Sequence, residues 1–174
     1  MRTTLLLLFA AFLVACGSGD SVERIVKVYP NGNPERMVIY DASETNIIGE
    51  KFFYDDGGVR VEGPLQDGER HGTWHAYTME GNLLSVNNYN VGEYDGPYEN
   101  YFPDGGLRIQ GAYSNGKEIG EWIVFNNEGQ RHGLYRRFDT EGNLREKGVY
   151  DKGQKSGIWE EFNANGSRIG YSNH

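Results

Sequence analysis

The stretch Gly96–Gly120 recurs along most of this 174-residue chain at a spacing of 24 residues, and a period of that length restricts the fold to an array of small supersecondary units. Counted from the opening Gly96, aromatics stand at +2 (Tyr98) and +5 (Tyr101), glycine at +9 (Gly105) and leucine at +11 (Leu107). Glycine returns at +15 (Gly111), tyrosine at +17 (Tyr113) and glycine at +20 (Gly116). Sibling units open at Gly49, Gly72, Gly120, Gly133 and Gly157. Their +2 aromatics are Trp74, Trp122, Tyr135 and Trp159, while the Gly49 unit carries Phe52-Phe53-Tyr54 instead. Asn87 takes the +15 slot that Gly63, Gly111 and Gly148 fill elsewhere, which reads as a left-handed backbone position that asparagine tolerates.

Each unit holds two short apolar-aromatic runs separated by glycine-centred turns, the pattern of one β-hairpin. A lone hairpin is marginal in water, so each must pair with its neighbours. The expected fold is therefore all-β: an elongated antiparallel meander of β-hairpin repeats, laid out as an open single-layer or twisted sheet. Composition agrees. The 25 glycines follow no three-residue period, and 13% aromatics with a mean hydropathy of −0.66 suit short strands over thin cores. The +2 and +5 aromatics are three residues apart, so either both sheet faces carry aromatics or the strand bends between them.

The fourth unit breaks off, because Gly133 follows Gly120 after only 13 residues. That loss removes about one strand and one turn and reverses the strand phase of everything beyond it. The sequence predicts an irregularity over Asn126–His132, with Glu121–Phe125 pairing directly with Leu134–Phe138.

Four segments precede or make up the array. Residues 1–15 read as a signal peptide: Arg2 is a basic start, and the apolar run Leu5–Val14 is too short to span a bilayer. The run ends in Leu13-Val14-Ala15-Cys16-Gly17, which resembles a bacterial lipobox, with Cys16 as the lipidated thiol that would take up diacylglycerol and palmitate-type chains. Residues 16–24 are the lipidated cysteine and a tether. Residues 25–48 read as a degenerate capping hairpin around Asn31-Gly32, and residues 49–174 are the repeat array with its truncated unit at 120–132. Cys16 is the sole cysteine, so no internal disulfide can form. The expected location is the bacterial cell envelope, lipid-anchored, at the outer membrane if the host is Gram-negative. Removing Arg2 with the leader takes the formal charge from −8 to −9, which opposes binding to nucleic acid or anionic lipid headgroups.

The motif Gly-x-Trp-x-x-Tyr-x-x-x-Gly-x-Leu followed by Tyr-x-x-Gly-Lys/Glu-x-x-Gly resembles the variant MORN repeat of bacterial proteins, many of them labelled antitoxin components of toxin–antitoxin systems. It is clearest at Gly72–Gly81, Gly96–Gly120 and Gly133–Gly166. The resemblance implies a hairpin array with a role in protein interaction or scaffolding, and carries over no functional residue. The lipobox sits badly with the antitoxin label, since antitoxins usually meet their toxins in the cytoplasm.

Candidate chemistry is thin. His71 and His132 both occupy an Arg-His-Gly slot where siblings have Asp95, Ile119 and Ser156, so the slot reads as a turn position. His75 and His174 stand alone, no His-x-x-x-His or cysteine cluster offers a zinc site, and no metal or cofactor is expected. Asp55-Asp56 falls at a turn, and neither a Gly-x-Ser-x-Gly elbow nor a phosphate loop occurs. A non-enzymatic chain is expected. The series Trp74, Tyr98, Trp122, Tyr135 and Trp159 reads first as packing between hairpins and second as a candidate interaction surface for an envelope protein or a glycan.

Overall fold

The computed structural model describes residues 21–174; the leader, Cys16 and most of the tether lie outside the described residues. The first four strands are β1 (Val22–Val28), β2 (Pro34–Tyr40), β3 (Ile47–Phe53) and β4 (Val59–Gln66), followed by the two-residue β5 (Glu69–Arg70). Next come β6 (Gly72–Tyr77), β7 (Leu83–Asn90), β8 (Glu93–Tyr101), β9 (Leu107–Ser114) and β10 (Lys117–Val124). Beyond the truncated unit lie β11 (Gly133–Phe138), β12 (Leu144–Asp151), β13 (Gln154–Phe162) and β14 (Arg168–Asn173). All pair antiparallel in chain order within one open sheet, with β5 off the path against β4. β1 begins at Val22, so pairing takes up the last residues read as tether.

One turn closes the first strand of every unit. Tyr29, Tyr54, Thr78, Phe102, Asn126, Asp139 and Asn163 each donate their N–H to the carbonyl four residues on and accept the N–H of a glycine three residues on. Those glycines have φ from 75° to 94°, a region closed to most side chains. Tyr29 takes part as its siblings do. Its hydroxyl donates to the carbonyl of Phe53, as that of Tyr54 does to the carbonyl of Tyr77, so the N-terminal hairpin shares the turn and the inter-hairpin bond of the unit that follows it. The second kind of turn joins units: Asp67-Gly68, Val91-Gly92, Asn115-Gly116 and Lys152-Gly153 all have positive φ at both residues, the two-residue turn whose twist matches the strands.

The truncated unit behaves as its length requires. β10 turns at Asn126–Gln130 and pairs directly with β11: Gly120 opposes Phe138, Glu121 opposes Arg137 and Trp122 opposes Arg136. An isolated bridge, Phe125 to Arg131, closes the irregular segment.

Register then fixes the faces, because successive side chains alternate across the sheet. Trp74 opposes Asn87, Asn87 opposes Tyr98, and Tyr98 opposes Gly111, which the ring of Trp122 covers; these share the first face. Trp122 opposes Arg136, so Arg136 lies on the first face and its neighbour Tyr135 on the second. Tyr135 opposes Gly148, which the ring of Trp159 covers. The hydroxyl of Tyr135 donates to Glu121, the neighbour of Trp122, at 2.9 Å. The missing strand thus moves the +2 aromatics from the first face to the second. There Tyr135 and Trp159 pack with Ile123, flanked by Phe125 and Tyr150.

The +5 aromatics take the opposite face throughout. Tyr77 donates to Glu62 and Tyr101 to Glu99, both second-face carboxylates. Past the switch, Arg136 lies over Phe138 and Lys147 over Phe162, on the first face. Both faces carry aromatics, and a register shift precedes the +5 residue, between Ala76 and Tyr77 for example.

Candidate functional site

The +2 series is core. Trp74 is 0% exposed, Trp159 2%, Tyr135 4% and Trp122 6%, and Tyr98 is half-buried. As a candidate interaction surface the series is therefore corrected: four of its five rings are spent on packing, because each indole lies flat over the backbone of the preceding strand. A Cβ added at Gly63, Gly111 or Gly148 would stand 2.2 to 2.4 Å from ring atoms of Trp74, Trp122 or Trp159. This also corrects the reading of the +15 slot. None of those glycines has a positive φ, so the slot needs glycine for space and not for handedness. Asn87, opposite Trp74 on the preceding strand, fits its own slot because the following strand brings Tyr98 there and not a tryptophan.

Cations cap the indoles: the guanidinium of Arg70 is 4.1 Å from the Trp74 ring centre and Nζ of Lys155 is 3.8 Å from that of Trp159. Tyr89, Tyr94 and Tyr113 stack in sequence on the first face, with centroids 4.6 and 4.9 Å apart. The Tyr89 hydroxyl beside it, together with partial burial, pushes Tyr94 up to about 12. Burial first and the Glu121 hydrogen bond second raise Tyr135, and the Glu99 hydrogen bond leads in pushing Tyr101 up to about 12.

The histidine slot has a structural task. Nδ1 of His71 accepts the N–H of Val91 at 3.4 Å, and Nδ1 of His132 accepts that of Lys152 at 3.5 Å. Asp95 does the same for Asn115 at 3.3 Å. In each case the side chain steadies the left-handed residue of the neighbouring two-residue turn, which is why His and Asp exchange freely there.

The exposed apolar side chains lie elsewhere. Past the switch the first face bears Leu134 directly opposite Val149, with Ile158 and Tyr171 further along, at 50, 45, 62 and 71% exposure. Earlier units put Thr73 and Pro97 at the +1 position of Leu134 and Ile158, and Asn88 and Ala112 at the +16 position of Val149. The signal was available: after the truncated unit the +1 slots hold Leu134 and Ile158 and the first +16 slot holds Val149, with Asn173 in the last. Read position by position, without knowing that the faces exchange, it attracts no notice. Charge pairs border the row. Arg136 grips Glu118 with two bonds of 2.6 and 2.9 Å, and Glu160 takes Lys147 at 2.9 Å and Arg168 at 3.0 Å. Where the row meets the first-face aromatics, a groove of about 130 Å3 opens between Tyr98, Ile109, Trp122, Val124, Leu134 and Arg136.

The hairpins themselves carry a family likeness. The profile of the MORN repeat variant matches residues 94–115 and 131–152, one unit on each side of the strand-phase switch. No curated protein matches the chain. MORN-type repeats are present, and their strands are the β8–β9 and β11–β12 hairpins.

Proposed function

We propose that this chain is a non-catalytic lipoprotein of the bacterial cell envelope, held to the membrane through Cys16, that serves as a protein-interaction or scaffolding module. The observation that carries the reading is the exposed aliphatic row Leu134, Val149 and Ile158 on a rigid sheet face, next to buried aromatics and bordered by paired charges. An apolar centre with a polar rim is the usual anatomy of a protein interface, and a contiguous exposed apolar patch is the surface a soluble face otherwise avoids. MORN repeats, often found as interaction modules, support the same role. The lipobox resemblance at Leu13–Gly17 supports the anchor. The glycan reading loses its platform with the burial of the tryptophans, and the antitoxin reading requires a cytoplasmic protein.

Two measurements test the proposal. Palmitate labelling with fractionation compares the wild type with Cys16→Ser; label in the wild type alone, with protein in the envelope, is expected. An unlabelled cytoplasmic protein overturns the anchor and brings the antitoxin reading forward. In-cell crosslinking then compares the wild type with the double variant Leu134→Asp, Ile158→Asp, whose sites are surface positions. Loss of the crosslinked species is expected, and an unchanged pattern excludes this face.

A further inference from the structure

Ahead of the strand-phase switch the first face carries a continuous run of touching rings. Trp74 meets Tyr89 edge-on with centroids 6.3 Å apart, Tyr89 stacks on Tyr94 at 4.6 Å, Tyr94 stacks on Tyr113 at 4.9 Å, and Tyr113 meets Trp122 edge-on at 4.9 Å. Tyr98 joins from the side, 5.9 Å from Tyr113 and 5.4 Å from Trp122. Every step lies within the range of direct ring contact. Indoles and phenols in contact do more than pack: an electron lost from one ring is replaced by its neighbour, so the deficit moves along the run. It comes to rest where a proton can be shed, because an oxidised phenol is a strong acid and becomes a neutral radical on losing its hydroxyl proton.

Burial decides where that is. Trp74, Trp122 and Tyr89 are buried, and the Tyr89 hydroxyl accepts from Arg70 at 3.2 Å. Tyr94 is the most exposed ring of the run, at 37%, while Tyr98 and Tyr113 are half-buried. Tyr94 keeps its proton at neutral pH, since the Tyr89 hydroxyl and partial burial push its ionisation up to about 12, and its exposure lets solvent take that proton on oxidation. Tyr94 also has a second phenol stacked on it. Among the described residues the near-parallel tyrosine pairs are Tyr89–Tyr94 and Tyr94–Tyr113, tilted by 27 and 23°. Tyr98–Tyr113 and Tyr135–Tyr150 stand edge to face, at 86 and 85°. A stacked pair sets the ring carbons of two phenols against one another, whereas an edge-to-face pair directs the rim of one ring at the face of the other. Of the two neighbours of Tyr94, Tyr113 is the less buried.

We propose that Tyr94 and Tyr113 form an oxidative cross-linking site, at which a one-electron oxidant acting on the first-face aromatics joins the two rings as a dityrosine. Two equivalents of oxidant are consumed, and the run of rings gathers both events to the same stack. Each phenol gives one electron to the oxidant and its hydroxyl proton to solvent. The two radicals pair their electrons in a carbon–carbon bond between the ring positions beside the hydroxyls. Transfer of the hydrogen from each joined carbon to its own oxygen restores both phenols, so the product lacks two hydrogens and is otherwise unchanged. The bond closes the β8–β9 hairpin covalently, a constraint of the kind a disulfide supplies, in a chain whose one cysteine cannot pair internally. It depends neither on the lipid anchor nor on the aliphatic row.

The test exposes the full chain, dilute, to tris(bipyridyl)ruthenium(III) generated by light and persulfate. Dityrosine emission is read from the monomer band of a denaturing gel, and that band is digested with trypsin. Cleavage after Arg108 and Lys117 leaves Tyr113 as the one tyrosine of its peptide. The expected product is that peptide joined to the one holding Tyr94, two hydrogens short of their sum, with fragmentation placing the bond at Tyr94. Tyr94→Phe keeps the ring and its packing and should lose the link. Tyr171→Phe, at an exposed phenol with no tyrosine ring against it among the described residues, should lose cross-linked dimers and keep the link within the monomer. Unfolding in urea before oxidation should abolish the preference for this pair. Oxidised indoles with no dityrosine in the monomer band overturn the proposal. So do a bond from Tyr94 to Tyr89, a bond from Tyr98 to Tyr113, a link that survives Tyr94→Phe, or an equal yield from the unfolded chain.

Discussion

Gly111 lies under the indole of Trp122, so close that a Cβ built there would stand 2.4 Å from both Cδ2 and Cε2 of the ring. No rotamer shift of a flexible side-chain end relieves that contact, because the obstacle is a rigid, 94%-buried ring whose own position is fixed by Tyr98 and Tyr113 at 5.4 and 4.9 Å between centroids. Gly111→Ala is expected to lower stability by about 1–3 kcal/mol, the usual cost of overfilling a packed site. Gly170→Ala is the control: its nearest neighbour is Oε2 of Glu161 at 3.5 Å, and its φ is not positive. Urea unfolding of the two variants checks this, and equal midpoints would sink the account.

Val91 occupies the first position of a two-residue turn at φ 42°, where Asp67, Asn115 and Lys152 stand in sibling turns. A β-branched residue in the left-handed region is strained, since its branch crowds the flanking carbonyls. Val91 is also exposed, so little burial repays the strain. Val91→Asn should raise stability by about 1 kcal/mol, read as an upward shift of the thermal midpoint; a fall would show that the valine methyls are held by contacts worth more than the backbone strain.

The tyrosine network predicts alkaline lability. Tyr94 and Tyr101 have their ionisation pushed up from 10.0 to about 12 in the folded chain, by the Tyr89 hydroxyl and by the Glu99 carboxylate. Tyr135 shifts in the same direction through burial and Glu121. A raised folded value means the neutral form is favoured by folding, so the stabilisation is complete below pH 10 and is lost as pH rises towards 12. Ultraviolet titration should place tyrosinate formation together with unfolding in that window, and Tyr101→Phe should flatten the slope. The carboxylates act at the other end. Asp139, held by the Asn143 backbone N–H, and Asp41, held by the Asn46 amide, are lowered from 3.8 to about 2. Their contribution is present above 3.8 and lost as pH falls through 2.

The meander, its turns and the strand-phase switch were legible because they follow from spacing alone. A 24-residue period cut to 13 between Gly120 and Gly133 can only remove a strand, and an antiparallel sheet converts that into Trp122 on one face and Tyr135 on the other. What spacing does not carry is depth. The same Gly-x-Trp pattern suits a buried ladder and an exposed one, and only contact with Gly63, Gly111 and Gly148 decides for burial. Those glycines misled for a related reason: glycine serves both left-handed turns and close approach, and the two uses look alike in sequence. Leu134, Val149 and Ile158 escaped notice because their significance depends on a face exchange three strands long.

The space requirement at the +15 slot has a direct test in the unit that departs from it. Asn87 faces Tyr98, while each tryptophan of the series covers a glycine. Tyr98→Trp alone brings an indole onto the Asn87 side chain and should cost roughly 1–3 kcal/mol. Asn87→Gly alone loses a packed side chain and its bond from Nδ2 to Oγ of Ser85, and places glycine in a strand interior, at a further cost of about 1 kcal/mol. Together they rebuild the Gly–Trp pair found at Gly63–Trp74, so the double variant should be more stable than the sum of the two losses, with a coupling of about 1–2 kcal/mol. Were the slot a left-handed backbone position, Asn87→Gly would stabilise whatever stood at residue 98, and the coupling would vanish. A double-mutant cycle by chemical denaturation separates the two, because only steric complementarity makes the effect of one residue depend on the other.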